Sequence, residues 1–236
     1  MIYDGMDLGE LMHAEAARPL MAPPSIKTTS IAGRDGFEVS SVRLDSFDVD
    51  VECHVAPGWP LDMAEGIRKT GEVKRAVAAR LYRKGKRPLI FDDDPSLHCM
   101  AIVTGVSEVR RVGYVDYFTV TFRCDPVFMA NEETERSLGA GENRVDVKGT
   151  APTSPLFEIK ASSTSVTVSN GSGAFVKVGC SKGSVVRVDM AAKRATVNGA
   201  DARVAITSTF FDVGPGEERL TIDGGSGKVT YREAWL

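Results

Sequence analysis

Phe47-Asp48-Val49-Asp50-Val51-Glu52-Cys53-His54-Val55 alternates apolar and polar side chains without a break. Successive side chains of an extended chain point to opposite faces, so a period of two reads as a strand with one face buried and one wet. Phe118, Val120, Phe122 and Cys124 repeat the pattern, with Thr119, Thr121 and Arg123 on the other face. Ala101–Val109 reads as a third strand and Lys86–Phe91 as a short apolar one. Across the chain 27 Val stand against 12 Leu, a tilt towards β structure, because a branched Cβ suits a pleated surface better than a helix.

One helix interrupts these strands. Asp62 is placed to cap Met63–Lys84, and Ile67, Val73, Val77 and Leu81 recur at near-helical spacing, with Gly71 the weakest point. After Asp125-Pro126 comes a polar stretch, Asn131–Ser137, beyond which Gly, Ser and Thr dominate between short strands. The division this implies is residues 1–130 and 131–236, which suits a chain of 236 residues. In the second part Ser165–Ser169, Ala174–Val178, Ser184–Met190, Arg194–Val197, Val204–Phe211, Glu218–Asp223 and Lys228–Arg232 read as strands. Asn170-Gly171, Asn198-Gly199 and Gly214-Pro215-Gly216 punctuate them as turns. Closely spaced short strands predict an antiparallel sandwich. The fold class is mainly β with one helix.

Composition excludes several classes. With 42% hydrophobic and 26% charged residues the chain can bury a core. A net charge of −3 does not fit wholesale binding of nucleic acid or anionic membrane. No apolar run approaches the roughly 20 residues of a bilayer-spanning helix. The opening Met1–Asp7 carries neither a basic nor an apolar leader region, so no secretory signal is expected. Cys53, Cys99, Cys124 and Cys180 lack CxxC spacing and read as buried thiols, not as a disulfide frame.

The candidate chemistry is thin. Gly179-Cys180-Ser181-Lys182-Gly183 satisfies G-x-S-x-G, but a strand follows it where a nucleophile elbow needs a helix. His13, His54 and His98 all precede Ser181, so the downstream base is missing, and the segment reads as a hairpin turn. Cys53-His54 and His98-Cys99 hold zinc-type ligands, yet strand neighbours point to opposite faces and cannot easily share one ion. Asp92-Asp93-Asp94-Pro95 reads as a solvated loop. Nine basic residues between Arg68 and Arg87, with Glu72 alone opposing them, read as a solvated face or a contact for an acidic neighbouring subunit. Gly33-Arg34-Asp35-Gly36 lacks the Gly-Lys-Ser/Thr ending of a phosphate loop and reads as a turn. The aromatic residues of the second part sit mostly in strand runs, where a core role suffices, so they mark no sugar platform. No catalytic, cofactor or metal residues are assigned, and the expected class is not an enzyme.

The order of four segments carries the reading further. Ile31-Ala32-Gly33-Arg34-Asp35-Gly36 resembles the pGRDG segment of the distal tail (Dit) proteins of long-tailed phages. Phe118–Phe128, with Asp125-Pro126, is similar to the strand ending in DPf that closes the family's first domain. Phe210–Glu218, with Gly214-Pro215-Gly216, resembles its pGeN turn, although Glu218 stands where the pattern has Asn. Tyr231-Arg232-Glu233-Ala234-Trp235-Leu236 resembles its YR-x-x-WL end. The family-motif positions are thus Gly33, Arg34, Asp35, Gly36, Asp125, Pro126, Gly214, Pro215, Gly216, Tyr231, Arg232 and Trp235.

The resemblance implies an N-terminal β-sandwich-like tail domain with a helix and a protruding hairpin, then a C-terminal galectin-like antiparallel β-sandwich. It implies a structural protein of the virion tail tip of a phage or prophage, assembled in the host bacterial cytoplasm. Six copies would close into a ring, a hub joining the tail tube protein to tail-associated or receptor-binding proteins, with no membrane and no sequence-specific nucleic acid as partner. A ring of one chain needs two different surfaces on each copy. They are expected on Ile26–Val55 and the Met63–Lys84 helix. The alternative is a carbohydrate-binding module contacting host saccharide through residues 131–236. Galectin-type binding uses a His, and residues 99–236 contain none.

Overall fold

The computed structural model describes residues 1–56 and 62–236. The chain forms two compact units, Met1–Phe128 and Met129–Trp235.

In chain order the first unit has β1 (Ile2–Tyr3), β2 (Met6–Asp7), β3 (His13–Ala16), β4 (Pro24–Thr29), β5 (Glu38–Leu44) and β6 (Phe47–Val55). After these come α1 (Met63–Leu81), β7 (Arg87–Ile90), β8 (Leu97–Val106), β9 (Arg110–Val112) and β10 (Val115–Cys124). The main sheet runs β2-β1-β7-β8-β10-β6-β3, with β9 on β10, and the pairings are antiparallel. The quoted stretch is β6 along its whole length, and its alternation is visible as Val49, Val51, Cys53 and Val55 buried between exposed acids. Tyr3 on β1 meets Phe122 on β10 edge to face at 5.2 Å, although β7 and β8 lie between those strands in the sheet. Neighbouring strands are about 4.8 Å apart, so the sheet must curl over its own core for those rings to touch. One continuous sheet thereby brings strands from separate places in its order onto the same core.

The helix starts where expected: the Asp62 carboxylate accepts from the Glu65 N–H at 2.8 Å. Gly71 does not break it. It ends at Leu81, three residues short of Lys84, because Tyr82 is already extended and Arg83 turns back to donate to the carbonyls of Ala79 and Tyr82. β8 lies earlier than the predicted Ala101–Val109, since His98 and Cys99 belong to the segment that pairs with β7.

The second unit holds the last two residues of β11 (Phe128–Ala130), then β12 (Thr134–Leu138), β13 (Gly141–Val147), β14 (Leu156–Ala161), β15 (Ser165–Asn170) and β16 (Phe175–Gly179). It continues through β17 (Val185–Asp189), β18 (Arg194–Val197), β19 (Ala200–Ala202), β20 (Gly216–Asp223), β21 (Gly225–Tyr231) and β22 (Ala234–Trp235). Two antiparallel sheets, β12-β21-β14-β17-β18-β19 and β13-β20-β15-β16, enclose one core. Phe157, Ile159, Val186, Val188 and Val229 come from the first sheet, and Val166, Val168, Val176, Val178, Leu220 and Ile222 from the second.

Three local readings change. The polar stretch from Asn131 contains β12, which is polar because it is an edge strand that buries only Leu138. Val204–Phe211 is not a strand: Val204 makes one isolated bridge to Val178, a turn follows, and Thr209 rejoins the Phe175 carbonyl. Gly179–Gly183 is not a hairpin, because β16 and β17 lie in different sheets and the segment crosses from one to the other.

Candidate functional site

β4 and β5 pair only with each other, as a two-stranded sheet. Gly33 (φ 80°) and Gly36 (φ 92°) occupy the left-handed region that lets the chain reverse at its tip. Arg34 pairs with Glu38 across the tip at 2.7 Å. Ile26 and Val42 face each other and are 53% and 61% exposed, and Phe37 is 67% exposed. Ile31 and Val39 on the same hairpin, and Leu20 and Met21 before it, are exposed as well. An isolated two-stranded ribbon is marginal in water, and so much clustered apolar surface marks a contact site.

The same unit has an apolar groove of about 520 Å³ lined by Val77, Leu81, Val103, Val106, Val109 and Phe118, with Lys74 and Arg83 also on its wall. Its frame is polar. Asp116, on the inward row of β10, is fully buried, and Arg111 grips it with two bonds of 2.7 and 2.9 Å while Lys74 of α1 reaches it at 2.6 Å. The Arg111 bonds, aided by Lys74, hold its carboxyl down to about 2. Nearby, the Thr70 hydroxyl lies 2.7 Å from the Tyr114 carbonyl. A Cβ on Gly66 would meet the Tyr114 side chain at 2.9 Å, so glycine is what permits the helix to approach this closely.

The basic run is largely committed within the chain: Arg80 to Glu10, Arg83 to Asp4, Lys86 to Asp125, and Arg68 and Lys69 to Glu72 and Glu65. The acidic loop is also tied down, with Asp93 paired to Arg18 and Asp94 bonded to Ser96. Cys53 points into the core and its chain neighbour His54 to the outer face, where it stacks on His13. Burial pushes the Cys53 thiol up to about 12, and the Cys99 hydrogen bond, together with burial, raises Cys124, so neither is a ready nucleophile.

The motif positions divide sharply. Gly33, Arg34, Asp35 and Gly36 form the exposed hairpin tip. Asp125 follows the last residue of β10, its N–H bonded to the Met100 carbonyl at 2.8 Å, with Pro126 next. Gly214, Pro215 and Gly216 lead into β20 just after Val213 bridges Thr153. The Tyr231 hydroxyl donates to the Asp146 carbonyl at 3.2 Å, and Arg232 donates to Ala130, Asn131 and Glu133. The strand of Trp235 is clamped by Thr150 and Ala151, whose N–H groups both reach the Ala234 carbonyl. These last segments lock backbone; they converge on no chemical centre. Phe157, Phe211 and Tyr231 are buried and Phe175, Phe210 and Trp235 half-buried, which leaves little aromatic surface for a sugar.

Residues 13–124 match the phage tail protein RIFT-related domain, and residues 148–235 match the C-terminal domain of siphovirus-type tail components. No curated protein matches the sequence. The phage SPP1 Dit protein, described as a paradigm of the hub adsorption apparatus in phages infecting Gram-positive hosts, shares the fold. It is 22% identical with a TM-score of 0.84, over 100% of this chain and 98% of that one. Chains of the activated phage P2 baseplate, with Ca and with Sr, are 6% and 7% identical at TM-scores of 0.39 and 0.40. They cover 92% and 90% of this chain and 90% and 89% of their own. Matched in both units to tail components, the chain belongs to the distal tail protein family of long-tailed phages, structural parts of the phage tail.

Proposed function

We propose that this chain forms a closed ring of six copies, a hub joining the tail tube to the adsorption apparatus at the tail tip. The observation that carries the reading is the pairing, on one unit, of an exposed apolar hairpin with a separate apolar groove. Two different sticky surfaces on one chain make a head-to-tail contact, and such contacts close into rings when the rotation allows. The SPP1 Dit fold, named for a hub, supports the same reading. The ring-forming role falls to residues 1–130, and the galectin-like sandwich of residues 131–236 faces the tail-associated or receptor-binding partners. The part is geometric; no catalytic step is needed.

Light scattering during size exclusion, at several concentrations and with the tube protein added, tests this. A mass near six times 25.4 kDa with ring-shaped particles in negative stain is the expected result. A monomer under all these conditions would overturn it.

A further inference from the structure

We infer that the outer face of β3 and β6 holds a site for one divalent late transition-metal ion, built on His13 and His54. The two histidines are direct cross-strand partners, with ring centroids 4.6 Å apart and planes tilted by 38°. Tyr117 of β10 flanks His54 on its other side at 5.7 Å. The next residues on the same face are Glu15 and Glu52, again directly opposite one another. Ala14 and Cys53 between them turn the other way, Cys53 into the core.

Like charges facing each other across strands destabilise a sheet. Further along the same face of β6, Asp48 is matched by two bonds from Arg123 and Asp50 by the Thr121 hydroxyl. Glu52 faces Glu15 on one side and Thr119 on the other. Two imidazoles in contact beside two opposed carboxylates is an arrangement that a divalent cation would stabilise. Paired imidazoles suit zinc, copper or nickel, whereas the hard alkaline-earth cations prefer all-oxygen shells. Among the described residues no three His, Cys, Asp or Glu side chains already converge. The two imidazoles supply half of the site once their rings turn to aim one nitrogen each at the ion, and water or a re-oriented Glu15 or Glu52 completes it. Because β3 ends the sheet order, the pair stands at an edge open to solvent.

The test uses the full chain stripped with EDTA, then titrated with zinc chloride by calorimetry and with copper(II) by electron paramagnetic resonance. One equivalent per chain is expected, with nitrogen hyperfine structure from two imidazoles. His13→Gln and His54→Gln should each weaken binding by more than about tenfold, since removing even an outer-shell partner of a metal ligand costs that much. Glu15→Gln with Glu52→Gln should weaken it less. Circular dichroism of each variant, expected to match the parent, separates ligand loss from misfolding. Binding no tighter than in the double histidine variant, or binding that depends on one histidine alone, would overturn the site.

Discussion

The two units satisfy their apolar residues in opposite ways. In the second, Val166, Val168, Val176, Val178, Val186 and Val188 are completely buried between two sheets, and the closing Tyr231–Trp235 segment is tied back by backbone and side-chain bonds. Each such valine contributes roughly 1.5–3 kcal/mol of burial, and the large apolar side chains this unit leaves exposed are Val185 and Ile206. The first unit buries an equally dry row on β6 and β10, yet leaves Ile26, Phe37, Val39 and Val42 in water on a hairpin paired with nothing else in its sheet. A fold that can exclude water so thoroughly in one place does not expose four large apolar side chains on one ribbon for its own stability. On the proposed ring reading, the difference separates surface kept for folding from surface kept for assembly.

Truncation of large aromatics gives the widest expected gap between the two. Phe157→Ala opens a cavity in the sandwich core and should cost about 3–5 kcal/mol in urea unfolding of the isolated chain. Phe37→Ala, on the hairpin, should change the same midpoint by less than about 0.5 kcal/mol. Equal losses at the two positions would erase the distinction drawn here.

A smaller effect separates packing from polar framing inside the first unit. Asp116 is depressed from the usual 3.8 to about 2 by Arg111 and Lys74. Its contribution is therefore present in full above about pH 4 and is lost as pH falls from about 4 to 2; that interval corresponds to about 2 kcal/mol. Asp116→Asn should be less stable than the parent at neutral pH by a similar amount, and the two unfolding curves should converge towards pH 2. A difference that stays constant with pH would remove Asp116 as an ionic anchor of α1.

Much of this was legible in the residues. The alternation of Phe47–Val55 and of Phe118–Cys124 specified two central strands with the correct faces, and Asp62 marked the helix start. Asp116 lies two residues before Phe118 in the same inward row, so extending that alternation by one period already places a carboxylate facing the core. The crossing at Gly179–Gly183 was not legible, because Gly183 at φ 89° makes the same local turn whether the next strand pairs back or joins the opposite sheet. Neither was the contact of His13 with His54. Sequence reading pairs His54 with Cys53, its neighbour along the chain, whereas cross-strand register is a property of the assembled sheet. The edge strand Thr134–Leu138 was hidden by its polarity, which is what an edge facing water demands.

The smallest effect on the isolated chain is the most informative one for assembly. Ile26→Lys and Val42→Lys place charge on facing positions of β4 and β5 where both side chains are already more than half exposed. Unfolding of the monomer should shift by no more than about 0.5 kcal/mol for each, as for other exposed positions. The ring-sized species expected in light scattering should nevertheless be absent, since a lysine pressed into an apolar groove must give up its hydration without a partner. Val106→Lys, in the groove, should have the same pair of consequences from the other side of the contact. Mixing the hairpin variant with the groove variant sharpens the test. Each would retain one intact surface, so the mixture could form dimers joined by one good contact but could not propagate to a ring. Dimers from the mixture alone would identify hairpin and groove as the two halves of one head-to-tail interface. Full-size rings from either variant on its own would show that the exposed hairpin serves something other than self-assembly.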